Sequence, residues 1–261
     1  MKVAFISQRG LVGKTTYTRL VAEYFEFHLF EKMDTDWYDS TEKKSIKTLI
    51  KSDKLRLCNI SIEQPGIKRF TKYFADIQDI QLIPKTFFEK RLIDSVNKVD
   101  TTTLFDFSEE IYDILTEYEN TTEGTNFFSK INYIFVPIDS TPEAIFAAYK
   151  VLNEFKKYKN ITFVLCEVKY SDKLQFKSID EDILGVIDEL TQENRLRFMM
   201  VSIDFAIRRS DGNDQTLLEY ENSLNSIDEQ NAVAEFKNNL FEKFDNVFFG
   251  FNSRYWGKIS A

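Results

Sequence analysis

The chain has 261 residues, 29% charged and 43% hydrophobic, which suits one large α/β domain or two small ones and excludes a low-complexity protein. Its net charge of −8 repels phosphate backbones at long range, so a general nucleic-acid binder is excluded as well. No run approaches the roughly 20 apolar residues of a membrane span, and the single His28 cannot build a His-based metal site or a Ser-His-Asp triad.

Eight Gly and four Pro against 25 Phe and 12 Tyr predict a packed core with little linker. Cys58 and Cys166 have no CxxC spacing and read as buried thiols of a reducing compartment. Lys2 is followed by a short apolar segment that runs straight into a glycine loop, with no signal peptide, so the expected location is cytoplasmic.

In chain order, Lys2–Ser7 is a short apolar strand. Thr15–Phe25 carries Leu20, Val21, Tyr24 and Phe25 at helical spacing. A second strand is expected over Phe27–Met33, closing on Asp34-Thr35-Asp36. Residues 40–98 mix helical pieces around Ser45–Leu55 and Phe87–Val99 with a strand at Leu57–Ile62 and a turn at Pro65-Gly66. Thr101–Phe107 is β-branched and apolar, and a helix follows from Glu109 to Tyr118. Asn120–Gly124 reads as a loop, Tyr133–Pro137 as a strand and Pro142–Tyr158 as a helix. Then come a strand at Ile161–Leu165, a helix over Asp180–Glu193 and a strand at Arg197–Ser202. Two tail helices are expected at Asp214–Asn222 and Ile227–Phe244. Strands alternating with helices of this length predict a mostly parallel sheet flanked by helices, three layers in an α/β/α order. The expectation is one domain over 1–261, with an insertion at about 40–98 and a helical tail at about 210–261.

Gly10-Leu11-Val12-Gly13-Lys14-Thr15-Thr16 follows the first strand and opens the first helix. Glycines let backbone N–H groups turn inward around phosphate oxygens, helped by the positive end of the helix. In such a loop the Lys14 ammonium reaches the β- and γ-phosphates and the Thr15 hydroxyl ligates Mg²⁺. The full Walker pattern wants Gly where this chain has Gln8. The strand–loop–helix context nevertheless predicts a P-loop binding a nucleotide and Mg²⁺, with ATP as the leading reading.

The run Arg9-Gly10-Leu11-Val12-Gly13-Lys14-Thr15-Thr16 resembles the Lys-Gly-Gly-x-Gly-Lys-Thr-Thr loop of the deviant-Walker ParA/MinD ATPases, and more closely the loop of StbB-type plasmid-stability proteins. Leu104–Glu110 resembles that family's apolar strand ending in Asp, Tyr133–Pro137 its next strand and proline, and Val164–Val168 the strand that usually ends in Asn-Lys-Val. The resemblance covers about 1–35 and 100–170. It implies a P-loop NTPase fold and a weak Mg²⁺-dependent ATPase acting as a switch in plasmid stability, partition or mobilisation. A partner protein and a nucleotide-dependent dimer are implied with it. Two other readings stay open: a small-molecule kinase or ATP-dependent ligase, and a non-hydrolysing nucleotide-binding scaffold.

Individual residues follow. Arg9 stands where the family has a lysine donated across a dimer, and either takes that role or is a solvated surface residue; Arg and Lys are not equivalent there. Asp106, ending its strand, either holds Mg²⁺ or caps the helix starting at Glu109. Asp36, and less so Asp34, stand where the resemblance implies a water-activating or Mg²⁺-linked Asp; the other reading is an exposed turn. Lys150, Lys156, Lys157 and Lys159 crowd the helix after Pro137, as a solvated face or a weak contact for DNA or an acidic partner. Arg208-Arg209 are expected in a loop after Ser202. Direct DNA binding should be weak or absent, and no membrane association is expected.

Overall fold

Alternation along the strands decides how the layers form. The computed structural model describes residues 1–9, 13–26, 55–61, 77–81, 92–98, 101–107, 109–139, 141–169, 181–202, 205–212 and 215–250. Seven strands are found among them: β1 (Lys2–Phe5), β2 (Leu55–Ser61), β3 (Ile77–Gln81), β4 (Thr102–Phe107), β5 (Tyr133–Ile138), β6 (Thr162–Lys169) and β7 (Leu196–Ser202). They form one sheet in the order β3-β2-β4-β1-β5-β6-β7, and every pairing is parallel.

The helices that cover this sheet are α1 (Lys14–Tyr24), a short α2 at 92–97, α3 (Tyr112–Glu119), α4 (Thr122–Phe128), α5 (Pro142–Phe155) and α6 (Glu181–Gln192). One row of alternate strand residues, including Ala4, Phe105, Ile134 and Phe163, shares a core with side chains from α2 through α6. The opposite row, with Val3, Phe5, Leu104, Phe135 and Val164, is equally buried. On that second face α1 packs against β4 and β5, and the Tyr17 hydroxyl donates to the Glu167 carbonyl at 2.8 Å. A sheet buried on both faces needs apolar residues in both rows, which is why these strands read as continuous apolar runs. The three-layer α/β/α expectation is met.

Aromatic rings fill the first face. Phe128 lies 4.6 Å from Phe155, 5.1 Å from Phe127 and 5.6 Å from Tyr158, centroid to centroid. Below them Lys2 buries its ammonium on the Lys98 and Thr101 carbonyls and the Thr103 hydroxyl, at 2.6, 2.9 and 2.8 Å. These bonds fix the start of β1 against β4.

Several expectations are corrected. Asn120–Gly124 is not a loop throughout: Thr121 accepts from the Gly124 N–H at 3.0 Å and caps α4. The helix expected to reach Tyr158 stops at Phe155, because Arg195 draws the Lys156 and Tyr158 carbonyls into a turn with bonds of 2.9 and 2.6 Å. The stretch 40–98 supplies β2 and β3, which extend the sheet beyond β4. The strand expected at Phe27–Met33 and the helix at Ser45–Leu55 lie outside the described residues, except that Leu55 opens β2. Cys58 on β2 and Cys166 on β6 are four sheet positions apart, about 19 Å at the usual strand spacing. A disulfide between them is therefore impossible, and burial pushes the Cys166 thiol pKa up.

Residues 203–261 form a second compact unit, distinct from Met1–Ser202. It holds α7 (Phe205–Gly212), α8 (Leu217–Ser223) and α9 (Ile227–Phe249). A capping box of Thr216 and Glu219 opens α8, Ser226 caps α9 and Gly250 ends it in the left-handed region. Lys237 ties α9 to Glu221 of α8 at 2.5 Å. Arg208 and Arg209, expected in a loop, are exposed on α7. Among the described residues no helix is long and apolar enough to cross a membrane.

Candidate nucleotide site

The site starts where β1 ends. Gly13 takes φ 85° and ψ 15°, a left-handed conformation that a side chain would strain, and is the N-cap of α1. Its carbonyl accepts the Tyr17 N–H at 2.9 Å, so the helix begins directly after the turn. Lys14 is the first helical residue, with its side chain only 8% exposed. Thr15 and the half-buried Thr16 follow in the same turn. Gly10, Leu11 and Val12 lie outside the described residues, as do Asp34 and Asp36.

Strand register brings the acidic candidate alongside. Asp106 of β4 pairs with Phe5, the last residue of β1, and with Asn59 of β2. It is buried and shares the sheet face on which α1 packs. The N-cap of α3 is Ile111, without a side-chain bond, and a 3-10 turn at Glu109–Ile111 precedes it. A buried carboxylate thus sits next to the end of the strand beside the one that feeds the glycine turn and the helix-opening lysine. This is an all-parallel α/β/α fold with a glycine turn and a helix-opening lysine at the end of its central strand.

Three features were not legible as site residues. Glu109, just past β4, places its carboxylate 3.4 Å from the Lys14 ammonium, and its side chain is 44% exposed. Burial works against that carboxylate, but its own backbone N–H and the Lys14 charge hold its pKa below the ordinary glutamate value. Ser7 accepts the Arg9 N–H at 3.1 Å and donates to the Arg9 carbonyl at 3.0 Å, fixing the chain where it leaves β1. The Arg9 guanidinium reaches the start of α5: it donates to the Thr141 hydroxyl and lies 3.9 Å from Asp139 and 3.7 Å from Glu143. The Asp-x-Thr-Pro-Glu run at 139–143 is a helix-start signal in sequence; the partner it holds is visible only in three dimensions.

The donor set fits a polyphosphate with Mg²⁺. Among the described residues, the buried Lys14 ammonium has one partner, at the long distance of 3.4 Å, so it has donors to give. No group of three or more His, Cys, Asp or Glu suited to a metal occurs among the described residues. A Mg²⁺ at a P-loop needs no such group, because phosphate oxygens and water complete its shell around one or two protein ligands.

The lysine group is corrected in detail. Lys156, Lys157 and Lys159 lie past the end of α5 and pair with Glu189 at 2.8 Å, Glu119 at 2.6 Å and Glu193 at 2.5 Å. Lys150 lies over the Phe146 ring at 5.0 Å.

No protein-family model and no curated protein sequence matches the chain. Among solved structures it is similar to a Borrelia burgdorferi protein assigned to plasmid partition and bound to AMPPNP, at 12% identity, covering 93% of this chain and 97% of that one, with a TM-score of 0.49. It is also similar to the Aquifex aeolicus MinD cell division protein, at 10% identity, 92% and 97% coverage and a TM-score of 0.45. The septum site-determining protein MinD of Pyrococcus horikoshii, complexed with Mg-ADP, gives 12% identity, 94% and 96% coverage and a TM-score of 0.46. At these identities and scores the likeness is distant and assigns no role to any residue of this chain.

Proposed function

We propose that this chain is a cytoplasmic, Mg²⁺-dependent ATP-binding P-loop NTPase with weak ATPase activity, serving as a switch in plasmid stability, partition or mobilisation through a partner protein. The observation that carries the nucleotide reading is the buried Lys14 at the start of α1, directly after the left-handed Gly13 and beside the strand whose next-to-last residue is Asp106. The plasmid role rests on the resemblance of Arg9–Thr16 and Leu104–Glu110 to StbB-type proteins.

In this reading the backbone of Gly10–Thr16 cradles phosphate oxygens and the positive end of α1 faces them. Lys14 neutralises the β- and γ-phosphates. The Thr15 hydroxyl and the Asp106 carboxylate are the Mg²⁺ ligands, and Asp36 orients water. The bound metal supplies charge neutralisation at the transferring phosphoryl group.

Isothermal titration with ATP and Mg²⁺ tests the reading. Lys14→Ala should lose most of the affinity, and Asp106→Asn should keep its fold while turnover falls about ten-fold or more. Equal affinity in wild type and Lys14→Ala would remove the phosphate-binding reading. ADP formation seen only with an added small acceptor, with the phosphoryl group recovered on that acceptor, would point to a kinase instead.

A further inference from the structure

We propose that Arg9 is a positioning residue acting within its own chain: it locks the exit of β1 to the first turn of α5, and so sets where the neighbouring phosphate loop begins. The inference rests on the ATP-binding reading only for its effect on nucleotide affinity. The lock itself is a matter of contacts. On the backbone side, Ser7 is buried and exchanges two hydrogen bonds with Arg9, fixing the peptide that leads into Gly10. On the side-chain side, one guanidinium nitrogen donates to the Thr141 hydroxyl and lies between the Asp139 and Glu143 carboxylates.

The receiving end is itself ordered. The Thr141 N–H donates to Asp139 at 2.8 Å, its hydroxyl donates to the same oxygen, and that hydroxyl also accepts the Ala144 N–H as the N-cap of α5. Arg9 therefore joins a bonded turn with two negative charges and one hydroxyl, not a lone surface acid. Two carboxylates face one cation, so the local charge is −1 with Arg9 and −2 without it. Removing the guanidinium leaves two like charges at the start of α5 with only the helix N-terminus to stabilise them. An arginine engaged in this way is turned toward its own chain.

Coupling of this kind is reciprocal. Loss of Arg9 should loosen the first turn of α5, and loss of Asp139 should loosen Arg9. Hydrogen exchange on the full chain without nucleotide reads this directly at the Arg9 amide and at the Thr141 and Ala144 amides. Arg9→Ala and Arg9→Gln are expected to speed exchange at Thr141 and Ala144 by about ten-fold, and Asp139→Asn to do so at Arg9. The double variant Arg9→Ala with Asp139→Asn should be no faster than either single variant, since they break the same lock. Mg-ATP affinity should fall about five-fold in Arg9→Ala, and mixing Arg9→Ala chains with Lys14→Ala chains should restore no turnover. Unchanged exchange at Thr141 and Ala144 in both Arg9 variants would overturn the proposal, as would recovered turnover on mixing. Failure of the wild type to bind ATP would sink the proposed function and leave the exchange result to decide the role of Arg9.

Discussion

If ATP binds as proposed, Glu109 competes with it for Lys14, and the geometry sets the size of the effect. Their charges are 3.4 Å apart, with Lys14 8% and Glu109 44% exposed. Coulomb attraction at that distance is about 1.2 kcal/mol in water and about 5 kcal/mol at an effective dielectric constant of about 20. Glu109 is half in solvent and the contact is long, so the low end applies, in line with the roughly 0.2–1 kcal/mol of exposed pairs. Glu109→Gln keeps the shape and removes the charge; freeing about 1 kcal/mol at Lys14 should tighten Mg-ATP binding about five-fold. Titration calorimetry at two salt concentrations reads it, and the gain should shrink at high salt. The carboxylate pKa is depressed in the fold, so the pair is present above the ordinary glutamate value of about 4.3 and is lost as pH falls through the depressed one. The difference between wild type and Glu109→Gln should therefore be constant near neutrality and close only in acid. Weaker binding in Glu109→Gln would refute the reasoning and make Glu109 a helper of the nucleotide site.

Two glycines should respond with opposite signs. A Cβ on Gly124 would sit 1.9 Å from the Tyr118 carbonyl oxygen, so Gly124→Ala should destabilise by about 1–3 kcal/mol, whereas Gly185 in α6 has open space around it and Gly185→Ala should stabilise by up to about 1 kcal/mol; urea titrations measure both. Burial raises the pKa of Tyr17, Tyr112 and Tyr158, so the folded state holds these protons more tightly. The resulting stability is full below about pH 10 and is lost above it, which thermal melts from about pH 8 to about pH 11 should show as a falling midpoint; a flat midpoint would contradict it. Because Lys156, Lys157 and Lys159 are already paired, random duplex DNA at physiological salt should bind no tighter than about 10⁻⁶ M; nanomolar binding by fluorescence anisotropy would show that the paired lysines are still available to phosphates.

What the sequence discloses depends on how local the cause is. The β1–glycine turn–α1 unit is contiguous, so spacing alone places Lys14 at a helix start, and the apolar run into Asp106 places that carboxylate at a strand end. Edge strand β3 has the sequence Ile-Gln-Asp-Ile-Gln, too polar to read as a strand; its backbone pairing with β2 determines it. Thr-Glu-Gly-Thr-Asn in α4 favours turn chemistry by propensity, but burial of Phe127 and Phe128 overrides it. The end of α5 is set by Arg195, some 40 residues downstream of the turn it closes. The same limit hid Glu109 and the Asp139–Glu143 turn as site residues, because each acquires its partner only when β1, β4 and β5 lie side by side. Asp36 rests on the resemblance alone and lies outside the described residues.

The central place of β1 also bears on how the chain is made. It is synthesised before its neighbours, yet it lies between β4 and β5, and its bond from Lys2 to Asn132 spans 130 residues. At about 5–20 residues per second, a ribosome takes about 6–26 s to deliver that far partner. Until then the Val-Ala-Phe-Ile stretch has no strand on that side, while β2, β3 and β4 can already pair among themselves. A nascent chain in this interval exposes the β5-facing backbone edge of β1, even once β4 has paired on its other side. A holdase that covers β1 during translation should raise the soluble yield, more so than one supplied after release.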